Sequence, residues 1–443
     1  MSHLFYQAKG RRPVGTHAQG ITVWDETGRP VIDGASGAMV VNIGHSNERV
    51  LAAMREQLDK ATFLYRLQFE NEPAEQFAAA LAQRMPADLD KVFFVSGGSE
   101  AVESAIKLAR QWAVATDQPE RWKVISRFPS YHGSTLGALS VTGYDLLTQH
   151  YLPLMREMPK IPAPTAYLDR DALSMDERGL RYADMLEAQI LAEGPESVLA
   201  FIMEPVGGAT TGALVAPDSY YARVRDICDR YGILLIHDEV MSGAGRTGTY
   251  LAGDHWGCRP DLVALSKGLG AGYAPLGAMI APDRIVDPVL ARGGFAHGHT
   301  YAGNPLASAA GLAVLGEIDR LDLLSNTTAM GDRLFAGLQE LAKRHPVIGD
   351  VRGKGLLLAA EFVADRETME PLPAELNAHE RMVELAFERG LILYSRRTRG
   401  GKTGDHFLVC PPMIITTEEV DRVLSILDDT LAALERELGL PTA

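Results

Sequence analysis

Cysteine is scarce in this chain: 443 residues contain three, Cys228, Cys258 and Cys410, with no CxxC pair among them. That spacing excludes a disulfide scaffold and a cysteine-based zinc site. Long apolar runs are also missing. No stretch of eighteen apolar residues occurs, and the first residues lack a charged-then-apolar leader pattern, so neither a membrane span nor export is expected. Basic residues are in deficit, 43 Lys and Arg against 57 Asp and Glu, for a formal charge of −14. A surface of that sign disfavours nucleic acid and anionic membranes as partners. There is no GxxxxGK[ST] phosphate loop either. What is present is 46% hydrophobic residues, enough to bury two domain cores in a chain expected to work in the reducing cytoplasm.

Alternation organises the middle of the chain. From about residue 72, apolar strand-like runs occur at 92–95, 124–126, 198–203, 233–236, 262–265 and 278–281, with helical periodicity in several of the gaps. Such alternation predicts a mostly parallel sheet covered by helices on both faces, an α/β large domain. Ligands then bind outside the carboxyl ends of the strands. The start of the chain differs: 21–24 and 31–33 predict a hairpin, followed by a helix from 48 to about 58. The end differs too, with strands at 356–362 and 391–394, a helix at 381–389 and a last helix from Thr417. Both ends together are expected to build a smaller α+β domain, giving divisions at 1–60, 61–325 and 326–443.

The predicted strand ends carry Ser96, Arg127, Glu204, Asp238 and Lys267, more polar groups than a purely structural sheet needs. Asp238 and Lys267 stand 29 positions apart at the ends of two expected neighbour strands. An acid and an amine so placed could form a salt bridge. They could equally grip a pyridine cofactor, the acid at its ring nitrogen and the amine bound to its aldehyde as a Schiff base. Ser96-Gly97-Gly98-Ser99 leads into a helix over 100–113, and its glycines suit either a phosphate or a plain N-cap. Tyr131-His132 lies just past another strand and could face an aromatic ring or simply pack. Gly243-Ala244-Gly245-Arg246-Thr247-Gly248 spells GxGxxG, but two acids precede it and no helical stripe follows, so a dinucleotide site is not expected. His297 and His299 lack companion ligands, so no metal is expected.

Asp238-Glu239-Val240, then Gly245-Arg246-Thr247-Gly248, Ser266-Lys267-Gly268 and His299-Thr300-Tyr301, resemble the class III (ω-) aminotransferases in order and spacing. The resemblance runs from the N-terminal hairpin to Pro411-Pro412. It implies fold type I with a seven-stranded sheet, pyridoxal 5'-phosphate as cofactor, and a homodimer with shared active sites, open to pairing into a tetramer. Lys267 and Asp238 would be the catalytic pair. Gly98 and Ser99 would hold the phosphate, and Thr300 would reach the phosphate of the neighbouring subunit. Tyr131, beside His132, would stack on one ring face and Val240 on the other, with Glu204 near the ring. Met39, Tyr65 and Arg66 would line the substrate pocket. Arg397 is favoured over Arg396 and Arg399 as the carboxylate binder. Where many members carry glutamine after Asp-Glu-Val, this chain has Met241. The implied reaction moves an amino group from an amine or ω-amino acid to a keto acid, pyruvate above others, in two ping-pong half-reactions. An aminomutase, racemase or decarboxylating relative would use the same lysine and aspartate.

Overall fold

A computed structural model describes residues 3–5 and 12–439. Seven strands form the central sheet in the order Lys91–Val95, Gly277–Ala281, Leu262–Leu265, Leu234–Asp238, Val198–Met203, Lys123–Phe128 and Lys160–Pro162. Gly277–Ala281 is antiparallel to both of its neighbours, and the other pairings are parallel. The short edge strand Lys160–Pro162 was not expected, because three residues carry too little pattern to register.

Val198–Met203 is buried at every position, which is why it reads as an unbroken apolar run. One face of the sheet packs on the helix Gly98–Ala115 through Val102, Ala105 and Ala109. The other packs on Asp218–Tyr231 and Met175–Glu193 through Tyr220, Val224, Leu186 and Ile190. Gly232 ends the first of these helices in the left-handed conformation at φ +60, a shape glycine adopts without strain.

Around this layer the two ends of the chain meet. The hairpin Thr22–Asp25 and Pro30–Asp33 has a further strand, Gly15–Gln19, on one side. On its other side Leu391–Ile392 pairs in parallel, Leu391 opposite Ile32. A second sheet runs Ile348–Lys354, Leu357–Asp365, Thr403–Val409 and Tyr394–Arg399. Helices Leu323–Arg344 and Thr417–Leu438 cover it with Leu334, Leu338, Val423 and Leu427. The basic segment 394–406 is a β-hairpin. Its glycines, Gly400 and Gly401, occupy positive φ at the turn. Among the described residues no helix is long and apolar enough to cross a membrane.

Candidate active site

Two neighbouring strands of the sheet deliver the acid and the amine to one edge. Asp238 ends its strand opposite Ala264, and the strand of Ala264 runs on through Ser266 to Lys267. Lys267 begins a short turn at φ +48, an unusual conformation for a residue with a side chain. The Asp238 carboxylate is 5% exposed and spoken for on both oxygens. Its Oδ2 lies 2.8 Å from His132 Nδ1. Since a carboxylate can only accept, Nδ1 carries the proton and the imidazole fixes the plane of the acid. Its Oδ1 accepts the Val240 backbone N–H at 3.1 Å. His132 is itself held, its backbone N–H donating to Thr142 Oγ1 at 2.9 Å.

Glu204 stands beside this pair. Its Oε1 accepts the Gly208 N–H at 2.9 Å, and its Oε2 accepts that of Tyr131 at 3.4 Å. Burial pushes the Glu204 carboxyl upward, with His132 opposing and Asp238 adding to the rise. Burial likewise pushes the Lys267 amine below its ordinary value, while Asp238 and Glu204 pull it back up. An amine displaced downward has a larger neutral fraction near neutral pH, as a nucleophile or proton acceptor requires.

The start of the helix Gly98–Ala115 faces the same edge. Its N-cap, Gly97, supplies no side-chain hydrogen bond, and a Cβ built on Gly97 would meet nothing within 4 Å. Open space thus lies in front of an uncapped helix start, a fit for a phosphate group. The nearby acids do not obstruct it. Glu100 Oε2 accepts the Ser96 N–H at 2.8 Å and Glu103 Oε1 that of Gly137 at 2.8 Å, so backbone donors occupy both carboxylates. Ser99 Oγ accepts the Ser134 N–H at 3.0 Å, which draws the 130–134 loop with Tyr131 over the helix start. A Cβ on Gly98 would press on the Val240 side chain, 2.8 Å from Cγ1, so a larger residue here would push Val240 aside. These donors, the oriented acid and the amine fit a phosphorylated pyridine carrying an aldehyde.

The structure thus gathers Gly98, Ser99, Tyr131, His132, Glu204, Asp238, Val240 and Lys267. Met39 is buried in a cluster with Met241, Val206 and Leu408 between the large sheet and the smaller one. Tyr65, Arg66 and Thr300 stand elsewhere. The Arg66 guanidinium lies 4.5 Å over the Phe93 ring and lines a separate cavity of about 300 Å³ with Lys91, Met279 and Val289. Thr300 is exposed, on the loop whose His299 Nδ1 lies 3.7 Å from Glu100 Oε1.

Arg397 is turned away. Its Nε binds Asp405 at 2.7 Å and its Nη2 the Asn377 side chain at 2.7 Å. Cross-strand register explains this. Arg397 pairs with Asp405 and Ser395 with Phe407, whose ring belongs to the core of the smaller sheet. Arg396 pairs with His406 and Tyr394 with Leu408, on the face that packs toward Met39 and Met241. Arg396 is exposed there, its guanidinium 5.1 Å from the centre of the Tyr394 ring. Arg399 Nη2 donates to the Met369 carbonyl at 2.7 Å.

Arg246 and Asn42 escaped the sequence reading. Arg246 stands in the Gly245-Arg246-Thr247-Gly248 motif that carries the family resemblance, but nothing in the sequence gives it or Asn42 a role. Arg246 is 0% exposed and hydrogen-bonds Ser36 Oγ, Asn42 Oδ1 and the Pro411 carbonyl.

Sheet order and site together define a pyridoxal-phosphate enzyme of fold type I. The aminotransferase class-III family model matches residues 6–431, and the chain belongs to that family. It is 40% identical over 429 residues to the uncharacterized aminotransferase YodT of Bacillus subtilis, covering 96% of each chain. It is 34% identical over 435 residues to putrescine–pyruvate aminotransferase of Pseudomonas aeruginosa, covering 96% of this chain and 92% of that one. An amine transaminase from an uncultivated Pseudomonas species, solved in its PLP-bound form, superimposes with a TM-score of 0.91 at 33% identity, over 98% of this chain and 99% of that one.

Proposed function

We propose that this aminotransferase moves an amino group from an amine or ω-amino acid to pyruvate. The observation that carries the reading is the convergence of the His132-oriented Asp238 and the buried Lys267 on one sheet edge. Bound pyridoxal phosphate supplies an electron sink for negative charge developing at the substrate carbon. Asp238 would hold the ring nitrogen protonated, with His132 fixing the orientation of the carboxylate. Lys267 Nζ would hold the cofactor's aldehyde and, as a neutral amine, would take the proton from the carbon that bears the amino group. Gly98, Ser99 and the helix start would hold the phosphate, and Tyr131 and Val240 would enclose the ring. The pyruvate acceptor is supported by the Pseudomonas aeruginosa relative, which is named for putrescine and pyruvate.

Arg396 is the better candidate for the acceptor's carboxylate, because it lies on the sheet face that packs toward Met39 and, among the described residues, has no carboxylate partner such as the Asp405 that holds Arg397. A homodimer completes the site. Phe63, Tyr65, Leu67, Phe69 and Tyr301 are exposed together with Thr300, and the Phe63 and Tyr301 rings meet edge-on at 6.0 Å. Such an apolar surface suits a second copy, with Tyr65, Arg66 and Thr300 entering its active site.

The test is incubation of holoenzyme with a panel of diamines, taurine and arylalkylamines plus pyruvate. Alanine formation is expected, with borohydride fixing the cofactor on Lys267. Arg396→Ala should raise the KM for pyruvate about tenfold, as expected for loss of a charge-assisted contact, whereas Arg397→Ala should lower stability instead. Racemised or isomerised amine without alanine across the panel refutes transamination, and label at another lysine refutes the site.

A further inference from the structure

The Gly245-Arg246-Thr247-Gly248 turn buries a cation completely. Arg246 Nη2 donates to Asn42 Oδ1 at 2.6 Å and to Ser36 Oγ at 3.1 Å. Its Nη1 donates to the Pro411 carbonyl, with those of Leu356 and Cys410 at 3.4 Å. Among the described residues its Nε–H has no partner, and no carboxylate is among its hydrogen bonds. A buried guanidinium hydrogen-bonded only to neutral groups, with Asp33 acting on it without a hydrogen bond, is costly, and a methionine would fill the space more cheaply. The position calls for a reason other than stability.

The residues it grips supply one. Ser36 and Asn42 bracket the pocket segment that contains Met39, and Ser36 and Met39 both hold positive φ, +48 and +56. Asn42 also donates from Nδ2 to the Ala244 carbonyl at 2.9 Å. The same amide lies against the backbone after the catalytic lysine: a Cβ built on Gly268 would fall 2.1 Å from Asn42 Nδ2. An unbroken path therefore runs from Arg246 through Asn42 to Gly268, and Lys267 beside it is itself held at φ +48.

We propose that Arg246 is a positioning residue for Lys267 and for the pocket wall at Met39, acting through Asn42 and Ser36. This rests on the aminotransferase reading above. The charged and titratable groups facing Lys267 are Asp238, Glu204, Cys410 and Arg246, and of these only Arg246 opposes its protonation. Arg246 in turn feels Cys410 and Asp33.

Arg246→Met, Arg246→Lys and Asn42→Asp holoenzymes are compared with wild type by thermal melting, by kcat and KM against pH, and by pH titration of the visible absorbance. Arg246→Met is expected to lower kcat about tenfold or more, with a smaller change in KM, because the amine is misaimed. Its absorbance midpoint and acidic kcat limb should both move upward by about half a unit, because a nearby cation is lost. Arg246→Lys should restore the midpoint but only part of kcat, since an ammonium cannot span Ser36 and Asn42 together. If the methionine variant does not fold, Asn42→Asp decides: the same shape with a carboxylate beside Arg246 should move the midpoint upward. A merely structural role lowers the melting temperature and leaves midpoint and limb in place. A folded methionine or aspartate variant with wild-type kcat and midpoint overturns the proposal. Wild type that forms no alanine would instead overturn the aminotransferase reading.

Discussion

Glu239, next to Asp238, is a carboxyl whose hold on its proton folding strengthens. It is 0% exposed, and burial pushes its pKa from 4.5 up to about 7. Its Oε2 lies 2.6 Å from Ser242 Oγ, and its Oε1 accepts the Gly253 N–H at 2.9 Å. Those bonds favour the charged form but do not outweigh the loss of water. Between pH 4.5 and 7 the folded state therefore holds a proton that the unfolded chain has released. More protons bound by the folded state means stability falls as pH rises through that window. At about 1.4 kcal/mol for each unit of displacement, the penalty accumulates to about 3 kcal/mol by pH 7. Glu239→Gln removes the titration and keeps both contacts, since the amide can accept from Gly253 and donate to Ser242. Urea unfolding of wild type and variant, from pH 4.5 to 8 at fixed protein and cofactor concentration, should show the variant gaining on wild type as pH rises. A difference that stays flat across the series refutes the reasoning.

Other expectations concern groups that brace the site. Glu361 is fully buried, with Oε2 2.7 Å from Arg352 Nη2 and 2.8 Å from the Tyr167 hydroxyl. Glu361→Gln should cost about 3 kcal/mol in urea unfolding, the low end for a broken buried pair because Asp350 still holds Arg352; an unchanged midpoint would count against it. Arg352 also donates to the Thr211 carbonyl at 2.9 Å, in the loop that carries Gly208 to Glu204, so KM for the amine should rise in the same variant. His132→Leu leaves Asp238 Oδ2 without its donor and should weaken cofactor binding by about 1–3 kcal/mol. Equilibrium dialysis against pyridoxal phosphate measures this, and a wild-type Kd would show that His132 does not orient the acid.

Much of this protein follows from local pattern. The fully buried strands announce themselves as apolar runs because both sheet faces are covered, and the polar residues that interrupt those runs fall at the strand ends where ligands bind. Asp238 and Lys267 are therefore legible without coordinates. Arg396 and Arg397 are not. Alternation says only that they point to opposite faces; which face meets the pocket depends on pairing with Thr403–Val409, a contact that leaves no mark within the segment itself. Arg246 is the stronger case. Flanked by glycines in a turn, it has the composition of an exposed cation, and only the meeting of Ser36, Asn42 and Pro411, from both ends of the chain, closes it off from water. Chemistry carried by a single strand end is written in one stretch of sequence, whereas burial and facing are decided by whichever distant residues arrive opposite.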